Sequence, residues 1–357
     1  MRCPLKIKNF WLLLCYDISM TMDNNRELIP PGLTYLADNI TSKHNIMGAA
    51  RGAGAKWAKD LNLPKEAETI FFAGCGYQYS SELEALMGLI RKIDKSAIGT
   101  ETAMNLANFQ KKLGFDAAGL YRRVMSKDRE DDAAALKDAV KVLKKLGIEF
   151  GYLADDEPCC AGMLHYMGLH KEFKQNSRQV TDELKSKKIK RIISIIPSCT
   201  NTLRQLVPAS IGEEGLEVKH FSEVVAEKIS SLDLRYSRTV RVAYHDPCQL
   251  SRYMKLVEEP RRILRAIKGI ELVETKFTNG DCTTCCGGGG GFEAVFPELS
   301  QILATNRAKE LLDTGAEMII TQCPGCIMQL KEGLKELRKT NVEVLDLAQV
   351  LATAMGV

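Results

Sequence analysis

The chain lacks any apolar run close to the roughly 18 residues that span a bilayer as a helix. Residues 9–16 (NFWLLLCY) are the longest N-terminal candidate, and no small-residue cleavage signal follows them. A buried helix or a partner-docking segment is the reading left for them. A cytoplasmic protein is expected, peripheral on the cytoplasmic face of a membrane where it meets a membrane complex. Charge of one sign is equally scarce: 49 Lys and Arg against 45 Asp and Glu leave a net +4. That balance excludes nucleic acid as a partner, since binding it takes a concentrated basic face. The basic stretch 185–191 reads as a solvated helix end. No Ser/His/Asp or paired-carboxylate arrangement emerges. The glycine run 287–291 is followed by Phe292 and Glu293, not the Lys–Ser/Thr of a phosphate loop.

What the chain does have is cysteine. Twelve occur in 357 residues: Cys3, Cys15, Cys75, Cys159, Cys160, Cys199, Cys248, Cys282, Cys285, Cys286, Cys323 and Cys326. A chain of this length and 45% hydrophobic content can build its core without disulfides. In a reducing compartment, clustered cysteines point to metal ligation or redox chemistry.

Their placement follows a pattern. The apolar run 69–73 (TIFFA) leads to Cys75, and 149–153 (EFGYL) precedes the pair Cys159–Cys160. Residues 191–196 (RIISII) then lead to Cys199. The order repeats: 240–244 (VRVAY) leads to Cys248, 271–274 precedes Cys285–Cys286, and 318–321 leads to Cys323 and Cys326. Helical stretches such as 258–267 and 297–314 lie between, and 343–345 closes the second set. Short apolar strands alternating with helices predict an α/β fold of two pseudo-symmetric parallel-sheet halves from an internal duplication. Ligands of parallel sheets sit at strand carboxyl ends, where every cysteine of both sets falls. The domain reading is 1–66 as an N-terminal connector, 67–235 as the first cysteine-rich half and 236–357 as the second. In the first half 83 residues separate Cys75 from Cys159, against 36 between Cys248 and Cys285. The excess, about 93–140, is charged, alanine-rich and amphipathic, and reads as a helical insertion on the surface.

The second half spells C-x(36)-CC-x(36)-C-x-x-C. Five converging thiolates exceed what tetrahedral zinc takes, and soft thiolates suit an iron–sulfur centre. Gly287, Gly288 and Gly289 open the run that would let the backbone approach an inorganic core and aim amide N–H groups at it. Cys323–Pro324–Gly325–Cys326 alone would also fit a thioredoxin-like redox pair, and the whole set a zinc-stabilised scaffold. Cys282 is a spare thiol or a further ligand. His245 and Asp246 are structural hydrogen-bonding groups or groups that tune the site.

FFAGC, DEPCC, HDPC, CCGGGGG and TQCPGC resemble the paired-cysteine (CCG) domains of heterodisulfide reductase subunits of the B and D types and of related iron–sulfur oxidoreductase subunits. The resemblance runs from about residue 28 onwards. It implies that Cys248, Cys285, Cys286, Cys323 and Cys326 hold a non-cubane 4Fe–4S cluster, with Cys285 and Cys286 at the catalytic centre. The implied activity is electron transfer to a disulfide such as that of coenzyme M and coenzyme B. The alternative is a relay between a ferredoxin-like or flavoprotein partner and a membrane quinone or cytochrome subunit. The first set departs from the pattern: Cys199–Thr200–Asn201–Thr202 lacks the last cysteine, and Ala161–Gly162 follows the pair. Cys75, Cys159, Cys160 and Cys199 are left to hold an altered cluster, zinc or nothing. Met1–Arg2–Cys3–Pro4 resembles the tail of a ferredoxin-type motif, so ferredoxin clusters of the chain's own are not expected.

Overall fold

A computed structural model describes residues 29–94, 133–229 and 232–357. Cys3, Cys15 and most of the expected insertion lie outside these residues. Among the described residues, no helix is long and apolar enough to cross a membrane.

Among the described residues seven strands form two sheets, and every pairing is parallel. The first holds β1 (Thr69–Phe72), β2 (Arg191–Ser194) and β3 (Glu217–His220), in that order. The second holds β4 (Leu234–Tyr244), β5 (Ile267–Val273), β6 (Met318–Thr321) and β7 (Glu343–Asp346), in the order β5-β4-β6-β7. β1, β2 and β6 are short and largely apolar, and β6 is buried along its whole length, as strands covered on both faces must be. Two expected features come out differently. Segment 149–153 makes a single parallel bridge, Ile70 to Gly151, instead of a strand. Gly151 makes both bonds to β1, and the Tyr152 N–H, on the side away from β1, donates to the Pro64 carbonyl at 2.8 Å. β3 closes the first sheet in the place that β7 takes in the second. With the Gly151 bridge beside β1, both sheets present their segments in the same order, which is the duplication expressed in space.

The halves exchange helices. Helix Phe221–Lys228 follows β3 and packs on helix Glu258–Ala266 of the second half. Helix Leu347–Met355 follows β7 and packs on helix Ala134–Lys145 of the first. Ala134–Lys145 buries Leu136, Ala139, Val140, Val142 and Leu143. The end of the segment read as a surface insertion therefore belongs to the core, and its charged residues form only its outer face. Leu347, Val350 and Leu351 complete this seam in the main hydrophobic cluster, which runs through both halves. Burying one such Leu contributes on the order of 2 kcal/mol.

Both exchanged helices begin with a reciprocal cap at the last residue of a strand. Asp346 accepts from the Ala348 N–H at 2.8 Å while Gln349 accepts from the Asp346 N–H at 3.0 Å. His220 plays the part in the first half: Nδ1 accepts from the Ser222 N–H at 3.2 Å, and Glu223 accepts from the His220 N–H at 2.7 Å. Such caps satisfy amides that the first helical turn leaves unpaired. His220 Nε2 lies 3.0 Å from the Ile195 carbonyl, so the ring is neutral with its proton on Nε2.

Burial lowers the His220 pKa from 6.5 to about 3. The unfolded chain takes up this proton below about pH 6.5, and the folded chain does not. The stability His220 contributes is thus intact above pH 6.5 and lost as pH falls towards 3, by up to about 1.4 kcal/mol per pH unit. His220→Asn keeps a capping group without the titration. Denaturant unfolding at several pH values is expected to show a flatter acid slope in that variant.

Candidate metal centre

Each cysteine set gathers at the carboxyl edge of its own sheet. β1 delivers Cys75 on helix Gly74–Gln78, and β2 delivers Cys199 on helix Pro197–Asn201. β4 runs through His245–Asp246–Pro247 to Cys248, and β6 runs into Cys323 and helix Pro324–Glu336, which carries Cys326. No disulfide links the ten cysteines among the described residues.

In the second half the Sγ atoms of Cys286 and Cys326 lie 3.2 Å apart. The Gly287 N–H donates to Cys285 Sγ at 3.3 Å. Gly287 has φ 85°, and a Cβ there would meet the Ser300 carbonyl at 2.4 Å. Glycine is therefore required at this position on both counts. Gly288 passes as closely over the Gln329 side chain. Gly289 departs from the expectation of amides aimed at a cluster: its N–H donates to Glu293 Oε2 at 2.8 Å.

Protonation separates the two members of the pair. Cys286 is held well below the usual thiol range, first by its hydrogen bond with Cys285, then by that with Cys326, with His245 adding to the effect. Cys285 and Cys326 are pushed up, each chiefly by its contact with Cys286. Burial and the neighbouring Cys323 raise Cys248 to about 11. Binding a metal to such a set releases thiol protons. Among the described residues, one group of His, Cys or acidic side chains brings three ligand atoms within 4.8 Å of one another: His245, Cys286 and Cys326.

The first half repeats part of this geometry. Ala161, after the pair, takes the left-handed φ of 57°, and its N–H donates to Cys159 Sγ at 3.4 Å, as Gly287 does to Cys285. A non-glycine residue there costs about 1 kcal/mol. Cys160 and Cys199 stand 3.3 Å apart, and Cys75 and Cys159 3.7 Å apart. Cys160 is the lowered thiol, first through Cys159 and then Cys199. Thr202 occupies the position that Cys326 holds in the second motif, so a hydroxyl stands where the fifth thiol would be. Glu157 accepts from the Ala73 and Gly74 N–H groups, both at 2.8 Å, and holds the Cys75 turn. The two sites approach each other across the seam. Asn201 donates to Gln249 Oε1 at 2.9 Å, and a Cβ on Gly76 would meet Pro324 at 2.9 Å.

Asp246 and Arg307 organise the second site. Asp246, 1% exposed, takes both Nη groups of the buried Arg261 at 2.7 and 2.9 Å and the Gly280 N–H at 2.8 Å. It thereby ties the Cys248 loop to the turn Gly280–Cys282, which carries Cys282 and leads to the cysteine pair. The structural reading of Asp246 is the one its contacts support. Arg307, on helix Pro297–Leu312, donates through Nε to His245 Nδ1 at 3.0 Å. Its Nη1 reaches the Thr278 carbonyl at 3.0 Å, Thr284 Oγ1 at 3.2 Å and Glu310 Oε2 at 2.6 Å. Sequence reasoning missed Arg307. Its signal was positional, because it interrupts the small apolar stripe Ser300, Ala304, Ala308 and Leu311, all buried.

The donor set fits a sulfide-bearing cluster. Thiols of the second half converge on one place, and three of the four buried N–H groups that lack an acceptor among the described residues belong to its neighbours: Arg307 Nη2, Gln322 Nε2 and Gln329 Nε2. Gln322 adjoins Cys323, Gln329 lies against Gly288 and Arg307 against His245. Buried donors left over beside a thiol cluster suit an anionic group seated near them.

Comparison with known proteins agrees. The family described as "Cysteine-rich domain" matches residues 125–204 and 242–331. A dihydromethanophenazine:CoB–CoM heterodisulfide reductase chain of Methanosarcina acetivorans is 33% identical over 225 residues, covering 60% of this chain and 54% of that protein. EtfAB:quinone oxidoreductase of Syntrophomonas wolfei is 32% identical over 228 residues, covering 60% and 31%. A protein of Chromohalobacter salexigens named "Probable membrane-anchored ferredoxin" is 30% identical over 364 residues, covering 99% of this chain and 46% of its own length. The chain thus spans about half the length, or less, of these relatives.

Asp246→Ala removes the bidentate acceptor of the buried Arg261, which keeps Glu274 and the Val257 carbonyl, and leaves the Gly280 N–H without its acceptor. A loss of about 2–3 kcal/mol is expected, read as a lower denaturation midpoint.

Proposed function

The chain carries the cysteine-rich domain twice, and from that premise we propose that it is the iron–sulfur electron-transfer subunit of an oxidoreductase of the heterodisulfide-reductase kind. The observation that carries this reading is the convergence of the second-half thiols at one sheet edge, with unpartnered buried donors on neighbouring residues. Cys248, Cys285, Cys286, Cys323 and Cys326 would hold a non-cubane 4Fe–4S cluster, and such a cluster supplies one-electron transfer when bound. The remaining work falls to the chain's own groups. Cys286 and Cys326 are buried and keep water from the inner side, while Cys248, Cys285 and Cys323 are half-buried and leave the outer side open to a substrate. The Gly287 N–H steadies Cys285.

The acceptor we propose is a disulfide, such as that of coenzyme M and coenzyme B. Two electrons and two protons convert one disulfide into two thiols, and a ferredoxin-like or flavoprotein partner is the proposed source of the electrons. Thr202 favours a second reading. With a hydroxyl in place of the fifth thiol, the first motif is a poor partner for cleavage between two centres. A relay handing electrons on to a membrane quinone or cytochrome subunit needs only one centre. The relatives named for a quinone oxidoreductase and a membrane-anchored ferredoxin are in keeping with that reading.

The test is to reduce the anaerobically purified protein and mix it with the heterodisulfide. Reoxidation with two thiols formed per disulfide supports the first reading. Reoxidation by a quinone but by no disulfide supports the relay, and reoxidation by neither overturns both. Cys286→Ser is expected to reduce the iron of the second site to background and abolish either activity. Cys75→Ser is expected to leave the iron of the second site unchanged.

A further inference from the structure

We propose that His245 is a hydrogen-bond donor to the Cys286 thiolate, held in that role by Arg307, and is not a metal ligand. The inference rests on the reading of Cys286 as a cluster ligand and deepens it. By proximity alone His245 qualifies as a ligand, since it offers a nitrogen within 4.8 Å of the Cys286 and Cys326 sulfurs. Hydrogen bonding decides otherwise. A guanidinium has donors and no acceptor, and Arg307 Nε stands 3.0 Å from His245 Nδ1. Nδ1 therefore accepts, and the single proton of the neutral ring sits on Nε2. A nitrogen that carries a proton has no lone pair for a metal. Ligating histidines have the opposite outer partner, a carboxylate, carbonyl or water that accepts from the second ring nitrogen. Here the second nitrogen faces a cation that cannot accept.

Arg307 is itself immobilised. It is 1% exposed and anchored through Nη1 to the Thr278 carbonyl, Thr284 Oγ1 and Glu310. Thr284 precedes the cysteine pair and donates to Glu310 Oε2 at 2.6 Å. The group that orients the imidazole thus also positions the loop bearing its target. His245 and Asp246 sit side by side, so the buried Asp246–Arg261 pair fixes the backbone from which the ring projects. Hydrogen bonds to cluster sulfurs raise the reduction potential by offsetting their charge. The first half has no histidine at the matching position. Three residues before Cys75, where His245 stands before Cys248, it carries the buried Phe72. His245 is therefore a source of asymmetry between two otherwise parallel sites, and Arg307 is a positioning residue that acts through it.

The experiment compares wild-type protein with His245→Phe, which installs the first-half residue, and His245→Gln, which restores an N–H donor. Each is purified anaerobically and titrated electrochemically under electron paramagnetic resonance. Iron and sulfide content like the wild type in both variants is expected, with a lower midpoint potential in His245→Phe that His245→Gln returns towards the wild-type value. Loss of iron in both variants, or an unchanged potential in His245→Phe, overturns the proposal. If His245→Phe does not fold, pulsed paramagnetic resonance on wild-type protein carrying 15N-histidine decides the matter. Weak nitrogen coupling with an exchangeable proton supports a donor, and the strong coupling of a coordinated nitrogen overturns it. Wild-type protein with zinc and no labile sulfide removes the underlying reading as well, and that outcome is recognised before any variant is made.

Discussion

Holding several sulfurs in contact away from water is the constraint on which this structure depends. At 3.2 Å the Cys286 and Cys326 sulfurs cannot both be thiolates without a cation to share their charge. The chain meets the constraint by leaving one lowered thiol in each half, Cys160 and Cys286, among raised neighbours. Amide donors from Ala161 and Gly287 support the sulfur beside each lowered thiol. In the second half a further layer is added by Arg307 acting through His245 and by N–H groups left without acceptors. Such an arrangement is costly for an empty pocket and well matched to an anionic inorganic group, because unpaired buried donors are tolerated only where something accepts from them.

The fold meets the geometric side of the same problem. Parallel strands end together, and the residues just beyond their ends lie near one another whatever their separation in the sequence. Cys248, Cys286 and Cys326 come from three separate segments, yet β4 and β6 are neighbours in the sheet. Exchange of the two terminal helices ties the halves together, so neither sheet edge can shift without disturbing the seam formed by Ala134–Lys145 and Leu347–Met355. The Asp246–Arg261 pair does locally what the exchange does globally: it holds the cysteine loops to one another through a rigid, bidentate contact.

Much of this could be read from the residues, for identifiable reasons. β1, β2, β4 and β6 are short apolar runs ending at a cysteine, so pattern and chemistry pointed to the same places. Segment 149–153 has the composition of a strand, but only Gly151 pairs with β1, and on the other side the Tyr152 amide bonds to the Pro64 carbonyl. Local composition carries no trace of that contact. Helix Ala134–Lys145 reads as a surface element because its charges are conspicuous, while the helix covering its apolar face lies about two hundred residues further on, at Leu347–Met355. The cysteines were legible as ligand candidates, whereas the groups that govern them were less so. Arg307 is remote from every motif and shows itself only as a cation inside a buried stripe. Thr202 was visible as a missing cysteine, and the structure adds that its hydroxyl is buried without a hydrogen-bond partner.

The central claim is that the second cysteine set holds a sulfide-bridged iron cluster. Its most direct test is the iron, zinc and acid-labile sulfide content of the anaerobically purified chain. The account predicts about four irons per chain with matching sulfide, as a 4Fe–4S centre requires. Zinc bound without labile sulfide would leave the duplicated fold intact and contradict the electron-transfer function built on it.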